Sequence, residues 1–196
     1  STDGLYDPRN GGEGIRLSGL RVSGEAVNPV RTNYFTIYLI ESGSGKFWAD
    51  GSQFAFDQNC LLFFVPYQHI RIVPESSVQA DVIQFHANFL CVETFHAEVG
   101  CSGILFNDPY GIPVVQLDEE IKAKVLSLID DLRVEQTQRG LAYSEVMLAH
   151  LKVLLILATR LKTSDAGACG PALHDLQHPV LIELRDLVEE NYSILH

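Results

Sequence analysis

Signatures of chemistry are scarce in this 196-residue chain. No G-x-S-x-G, P-loop or dinucleotide fingerprint occurs, and Gly43-Ser44-Gly45 is not followed by the helix that would aim N–H groups at a phosphate. Ser and His residues are present, but nothing ties them into a nucleophile and its base. Cys60, Cys91, Cys101 and Cys169 form no C-x-x-C pair, so reduced thiols are expected, with Cys60 and Cys91 serving as small core hydrophobes. Basic residues are few: 14 Lys and Arg against 25 Asp and Glu give a net charge of −11 and a pI near 4.9. Such a surface repels a phosphate backbone, so these residues are not themselves a nucleic-acid-binding surface. The longest apolar run, 153–158, is far short of the roughly 18 residues of a membrane span. No basic start followed by an apolar segment marks a secretory leader. A soluble, cytoplasmic protein with no membrane partner is expected. Ser1 stands where a Met would begin, and 191–196 stops without a helix cap, so a truncated chain is expected as well.

What is present is a strand pattern. With 46% hydrophobic and 20% charged residues the chain has material for a buried core and too little charge for disorder. From Tyr34 to Ile72, β-branched and aromatic runs are cut at short intervals by Gly43, Gly45, Asp50-Gly51, Asp57-Gln58-Asn59 and Pro66, the signature of a small antiparallel barrel. Strands are expected near 34–40, 45–49, 53–57, 60–65, 69–73 and 78–86, with a short one at 112–117. Residues 61–65 are apolar on both phases, so that strand has the barrel interior on one side and another layer, a helix, on the other. Residues 1–33 read as a glycine-punctuated mobile arm with one or two edge strands, at Ile15-Arg16-Leu17 and Leu20-Arg21-Val22.

Helices follow. Asp118 suits the N-cap of a helix opened by Glu119 and Glu120, with Ile121, Val125, Leu128 and Leu132 on its apolar stripe and Lys122, Lys124, Asp130, Asp131 and Arg133 outward. Gly140 ends or kinks it. A second helix runs to about 162 and is apolar almost all round at its centre, where Val153, Ile156 and Leu157 join Leu151, Leu155 and Ala158. Such a helix buries two sides, one against the domain and one against a second copy of the chain. Residues 163–177 are rich in Ser, Asp, Gly, Ala and Pro and read as a linker, and 178–196 as one further amphipathic helix of a separate domain.

The order of these pieces carries a resemblance. The runs Ile40-Glu41-Ser42-Gly43-Ser44-Gly45, Leu62-Phe63-Phe64-Val65-Pro66-Tyr67-Gln68-His69 and Ile83-Gln84-Phe85-His86-Ala87-Asn88-Phe89-Leu90, followed by two helices, resemble the sensor half of AraC-type transcription regulators. The resemblance implies an α+β fold: an antiparallel cupin-like barrel of jelly-roll type, two packed helices, a linker and one further helix. It divides the chain into arm and edge strands (1–33), barrel (34–117), helical dimerisation region (118–162), linker (163–177) and the start of a truncated helix-turn-helix domain (178–196). It implies a homodimer through 118–162, a small-molecule effector in the barrel, an arm that closes over it, and DNA binding only through a missing C-terminal domain. An acidic sensor beside a basic reader is consistent with the charge.

The resemblance also sets up a metal expectation that the residues decline. Metal-binding cupins carry a His-x-His pair and a Glu after the first barrel strand; here Asn33, Tyr34, Thr36 and Tyr38 occupy that region. His69 and His86 alone do not make a metal site. His86, Cys91, His96 and Cys101 recur every five residues, a step of about 500° on a helix that scatters ligands. No metal, no other cofactor and no enzymatic activity are therefore expected. Candidates for contacting an effector are Tyr38, Trp48, His69, Arg71 and His86, polar or aromatic residues on barrel strands. Arg71 matters if it points inward, where a guanidinium wants a carboxylate, and is a solvated charge if it points outward. The competing readings are a stand-alone cupin isomerase or dioxygenase and a dimeric scaffold with a filled barrel.

Overall fold

The computed structural model describes residues 5, 7, 13–90, 99–100, 103–108 and 111–168. Its elements run β1 (Ile15–Val22), β2 (Phe35–Ser42), β3 (Gly45–Ala49), β4 (Ser52–Phe56), β5 (Cys60–Phe64), β6 (Ile70–Pro74), β7 (Val78–Phe85), β8 (Val114–Gln116), α1 (Glu119–Gln138) and α2 (Tyr143–Ala168). The strands from 34 onward fall within two residues of the expected ranges. A five-stranded sheet has the order β1-β7-β2-β5-β8 and a three-stranded sheet the order β4-β3-β6, with antiparallel pairing throughout. The two short N-terminal segments are one strand: Ser18 and Gly19 stay in register opposite Val82 and Asp81, so β1 is a continuous edge.

Two turns show why the chain reverses where it does. Asp50 and Gly51 both have positive φ, 47° and 93°, the left-handed pair that matches strand twist in a two-residue hairpin. Gly43, at φ 91°, passes so close to the next connection that an added Cβ would lie 2.3 Å from the Ser77 carbonyl oxygen. Only glycine satisfies both demands there.

The large sheet has a different layer on each face. Toward the helices point Leu17, Ile37, Leu39, Leu61, Phe63, Ile83 and Phe85, which pack with Val125, Ile129 and Leu132 of α1 and Met147, Leu151, Leu154 and Leu155 of α2. Toward the small sheet point Tyr38, Ile40, Cys60, Leu62, Phe64, Val78, Ala80 and Val82, which pack with Phe47, Ala49, Phe56 and Ile72. Every residue of β5 is buried, as its doubly apolar pattern requires.

In α1 the Asp118 side chain accepts from the Ile121 N–H at 2.7 Å, and Glu119 and Glu120 face the positive helix end. Ile129, rather than Leu128, occupies the buried position between Val125 and Leu132; Leu128 is half-buried beside it. The helix stops one residue earlier than Gly140, on Arg139 in the left-handed conformation, whose N–H donates to the Glu135 carbonyl. In α2 the chain continues past 162 to Ala168, because Thr163 and Ser164 hydroxyls donate back to the carbonyls of Thr159, Arg160 and Leu161 rather than breaking the turn. The segment read as a linker, 163–177, therefore begins inside α2. The rest of it, the helix expected over 178–196, Cys91, His96, Cys101 and Cys169 and residues 1–4, 6 and 8–12 of the arm lie outside the described residues.

Candidate functional site

The middle of the barrel is solid. Phe47 is fully buried and lies 5.2 Å from Phe54 and 5.3 Å from Phe64, and Tyr38 stands edge-on to Phe64 at 5.5 Å. Burying rings of this kind contributes on the order of 2 kcal/mol each. Beside this packing, a cleft of about 360 Å³ lies between β1, β2 and β7 and the segment that leads into β2. Leu20, Val27, Tyr38 and Val82 make its apolar wall, with Arg16 and Gln84 as its polar rim. Val27 closes one side by pairing with Ile72 in both directions at 2.8 Å.

Tyr38 is 5% exposed, and its hydroxyl has no hydrogen-bond partner among the described residues, although it borders the cleft. Burial pushes its phenol up to about 12, so at neutral pH it is a protonated donor. The rim is pre-oriented. Arg16 Nε donates to Gln84 Oε1 at 2.8 Å, Gln84 Nε2 donates to Thr36 Oγ1 at 3.4 Å, and the Arg16 guanidinium lies 4.4 Å from the Tyr34 ring centroid. An apolar wall with a hydroxyl at its border and a held guanidinium and carboxamide suits a small, largely apolar molecule with a polar end.

The five residues singled out from the sequence are not gathered in one place. Tyr38 alone lines the cleft. His86 lies just past β7 behind the rim, its ring edge-on to Tyr34 at 6.3 Å; its Nδ1 accepts from the Asn88 N–H, and burial lowers its pKa. Trp48 and Arg71 are register partners on the outer face of the small sheet, with the guanidinium 5.8 Å from the indole centroid. Period two decides this: Phe47, Ala49 and Ile72 turn inward, so Trp48 and Arg71 turn outward. His69 is exposed in the connection before β6, where its backbone N–H donates to Asp50 Oδ1 at 2.9 Å. Among the described residues, no three His, Cys, Asp or Glu side chains converge as a metal site would require. Arg16 and Gln84 are not among the five: Arg16 sits in a segment that reads only as an edge strand without a partner, and the alternation Ile15-Arg16-Leu17 puts it on the barrel side once β1 pairs with β7.

The helix side of the same strands carries a second polar group of residues. Arg133 does not simply face solvent as its place on the helical wheel suggests: its Nη2 donates to Asp81 Oδ1 at 2.6 Å, and the Asp81 side chain is only 8% exposed. Glu41 sits beside this pair, its carboxyl raised by burial and then by its hydrogen bond with Asp81 and that residue's charge, and Gln79 Nε2 donates to it at 3.2 Å. These residues border a second cavity of about 490 Å³. Ser18, Gly19 and Leu20 border both cavities, so β1 is their common wall.

With this geometry, the chain is similar to known proteins as follows. Solved structures with similar chains include an apo ToxT variant from Vibrio cholerae strain SCE256, 11% identical, with 91% of this chain and 65% of that chain covered at a TM-score of 0.50. ToxT from Vibrio cholerae O395, bound to (E)-4-(8-methylnaphthalen-1-yl)but-3-enoic acid, is 10% identical over 76% of this chain and 57% of that one, at 0.46. A Cupin 2 conserved barrel domain protein from Salinispora arenicola CNS-205 is 15% identical over 39% of this chain and 66% of that one, at 0.36. At such identities the likeness is one of fold alone, and this chain spans less than two thirds of each of those chains. No curated protein matches. A family model described as AraC-like ligand binding domain matches residues 14–150, all eight strands, α1 and the start of α2, and the chain belongs to that family.

Proposed function

We propose that this chain is the ligand-sensing and dimerisation part of an AraC-type DNA-binding transcription regulator, working in the cytoplasm and without enzymatic activity. The observation that carries the reading is the cleft at Tyr38: an apolar cavity bordered by a tyrosine hydroxyl, beside a guanidinium and carboxamide already held in place. The effector is a small molecule with an apolar body and a hydrogen-bonding end. Trp48, His69, Arg71 and His86 do not line this cleft, so in this reading Tyr38, Arg16 and Gln84 supply the polar contacts.

The mechanism follows from the two faces of β7 and β2. Tyr38 opposes Val82 on the cleft side, and the next register pair, Leu39 and Asp81, faces the helices. An effector that fits one spacing of β1, β2 and β7 better than another therefore biases the Asp81–Arg133 tie and the seating of α1. The exposed Val153, with half-buried Ile156 and Leu157, is the face of α2 that a second copy of the chain covers. Two DNA-binding domains attached beyond α2 would then be presented differently with and without effector, and only those domains would touch DNA.

Screening small acids, sugars and aromatics by thermal shift tests this, because a ligand selective for the folded state raises the melting point. A hit is expected to lose most of its shift in Tyr38→Phe and Val82→Trp. A panel with no hit, or hits indifferent to both substitutions, favours the dimeric scaffold, a reading that the packed Phe47, Phe56 and Phe64 cluster makes concrete.

A further inference from the structure

A third cavity, of about 170 Å³, lies away from the barrel-mouth cleft, where the β3–β4 hairpin meets the end of β5, the 105–108 segment and α2. Phe54, Phe63 and Phe106 form its walls. Phe63 and Phe106 stand edge-on at 5.5 Å, which fixes a slot rather than a collapsed contact. Its polar feature is Lys162, whose side chain is 13% exposed. An ammonium has three donors. Lys162 Nζ donates to the Ile104 carbonyl at 2.9 Å and lies 3.7 Å from Asp108 Oδ2, which leaves one proton without an acceptor among the described residues.

Gly111 leaves Asp108 room for this pairing. A Cβ on Gly111 would fall 1.8 Å from Asp108 Oδ2, so glycine there lets the carboxylate lie over the backbone next to Lys162. The two opposite charges offset each other, so a ligand bringing its own charge would leave one charge unpaired in an aromatic pocket. A hydroxyl suits the site better, since one O–H can accept from an ammonium and donate to a carboxylate. The volume is about that of an apolar cavity known to hold benzene, ~150 Å³.

We propose that this cavity is a second small-molecule site, taking an uncharged hydroxylated aromatic compound whose ring lies among Phe54, Phe63 and Phe106 and whose hydroxyl bridges Lys162 and Asp108. Because Lys162 belongs to α2 and Asp108 to the preceding segment, an occupant ties the far end of α2 to the barrel. The site stands independently of the effector cleft, with which it shares no lining residue.

Calorimetric titration of the 196-residue chain with phenol, benzoate and benzylammonium tests it. Phenol is expected to bind with one-to-one stoichiometry, at least tenfold more tightly than either ion, and Lys162→Met to weaken it at least tenfold while Tyr38→Phe leaves it unchanged. Equal binding of benzoate, or phenol binding indifferent to Lys162→Met, overturns the proposal, as does absence of phenol binding. Should Lys162→Met not fold, Ser52→Phe fills the cavity from its rim and is expected to abolish phenol binding; retention of binding in that variant also overturns the proposal.

Discussion

The two faces of the five-stranded sheet are finished differently. On the helix side, apolar residues of β1, β2, β5 and β7 pack against α1 and α2, and the contacts that pin the layer include the ion pair of Arg133 with Asp81. On the barrel side, Phe47, Phe56 and Phe64 fill the middle of the space between the sheets, and a cleft is left beside Tyr38 over β1 and β7. Both faces share a backbone: Val82 on the barrel side and Asp81 on the helix side are adjacent residues of β7. The difference separates the residues that hold the fold from those free to meet a ligand.

Substitutions should break this comparison in graded steps. Phe47→Ala empties the middle of the barrel and Leu154→Ala the helix layer; each should lower unfolding free energy in denaturant by about 3–4 kcal/mol. Equal losses would mark both faces as core, whereas a near-neutral Phe47→Ala would mean that the barrel interior is loose. Arg133→Met leaves Asp81 buried without its guanidinium and should cost about 2 kcal/mol, discounted for the half-exposed arginine. The double variant with Asp81→Leu should recover part of it. Full additivity in the double-mutant cycle would remove the charged tie from the account.

Titrating stability with pH sharpens the same contrast. Burial pushes both Tyr38 and Cys60 up to about 12, so each holds its proton more tightly folded than unfolded. Their contribution is complete below their ordinary values, about 10 and 9, and is lost as pH rises toward 12. Tyr38→Phe should flatten the upper part of that decline. On the helix side Glu41 is raised as well, so its contribution is present in acid and falls as pH climbs through its raised value. Glu41→Gln should therefore leave stability at pH 7 equal or slightly higher and flatten the acid limb. The smallest effect is expected from Arg71→Ala on the outer face of the small sheet, within about 0.5 kcal/mol, with ligand binding unchanged.

Much of this layout is legible in the sequence. The doubly apolar run 60–64 announces a strand with a layer on each side, Asp50-Gly51 announces a hairpin, and Asp118 announces a helix start, because each is a local demand of the backbone or of burial. Faces are harder. Trp48 and Arg71 alternate properly, yet alternation assigns an inside only once register is known, and register comes from Phe47 meeting Phe54 and Ile72 across strands. Arg133 reads as solvent-facing on a helical wheel because its partner, Asp81, is 52 residues away. Arg16 was hidden in a glycine-punctuated segment whose strand character depends on pairing with β7.

The claim that the cleft at Tyr38 is the effector seat is tested most directly by amide NMR spectra of the chain titrated with the strongest hit of the thermal screen. The largest shifts are expected at Leu20, Tyr38 and Val82, with smaller ones reaching Asp81 and Arg133. Shifts confined to Trp48, Arg71 and their neighbours on the outer face of the small sheet would contradict it.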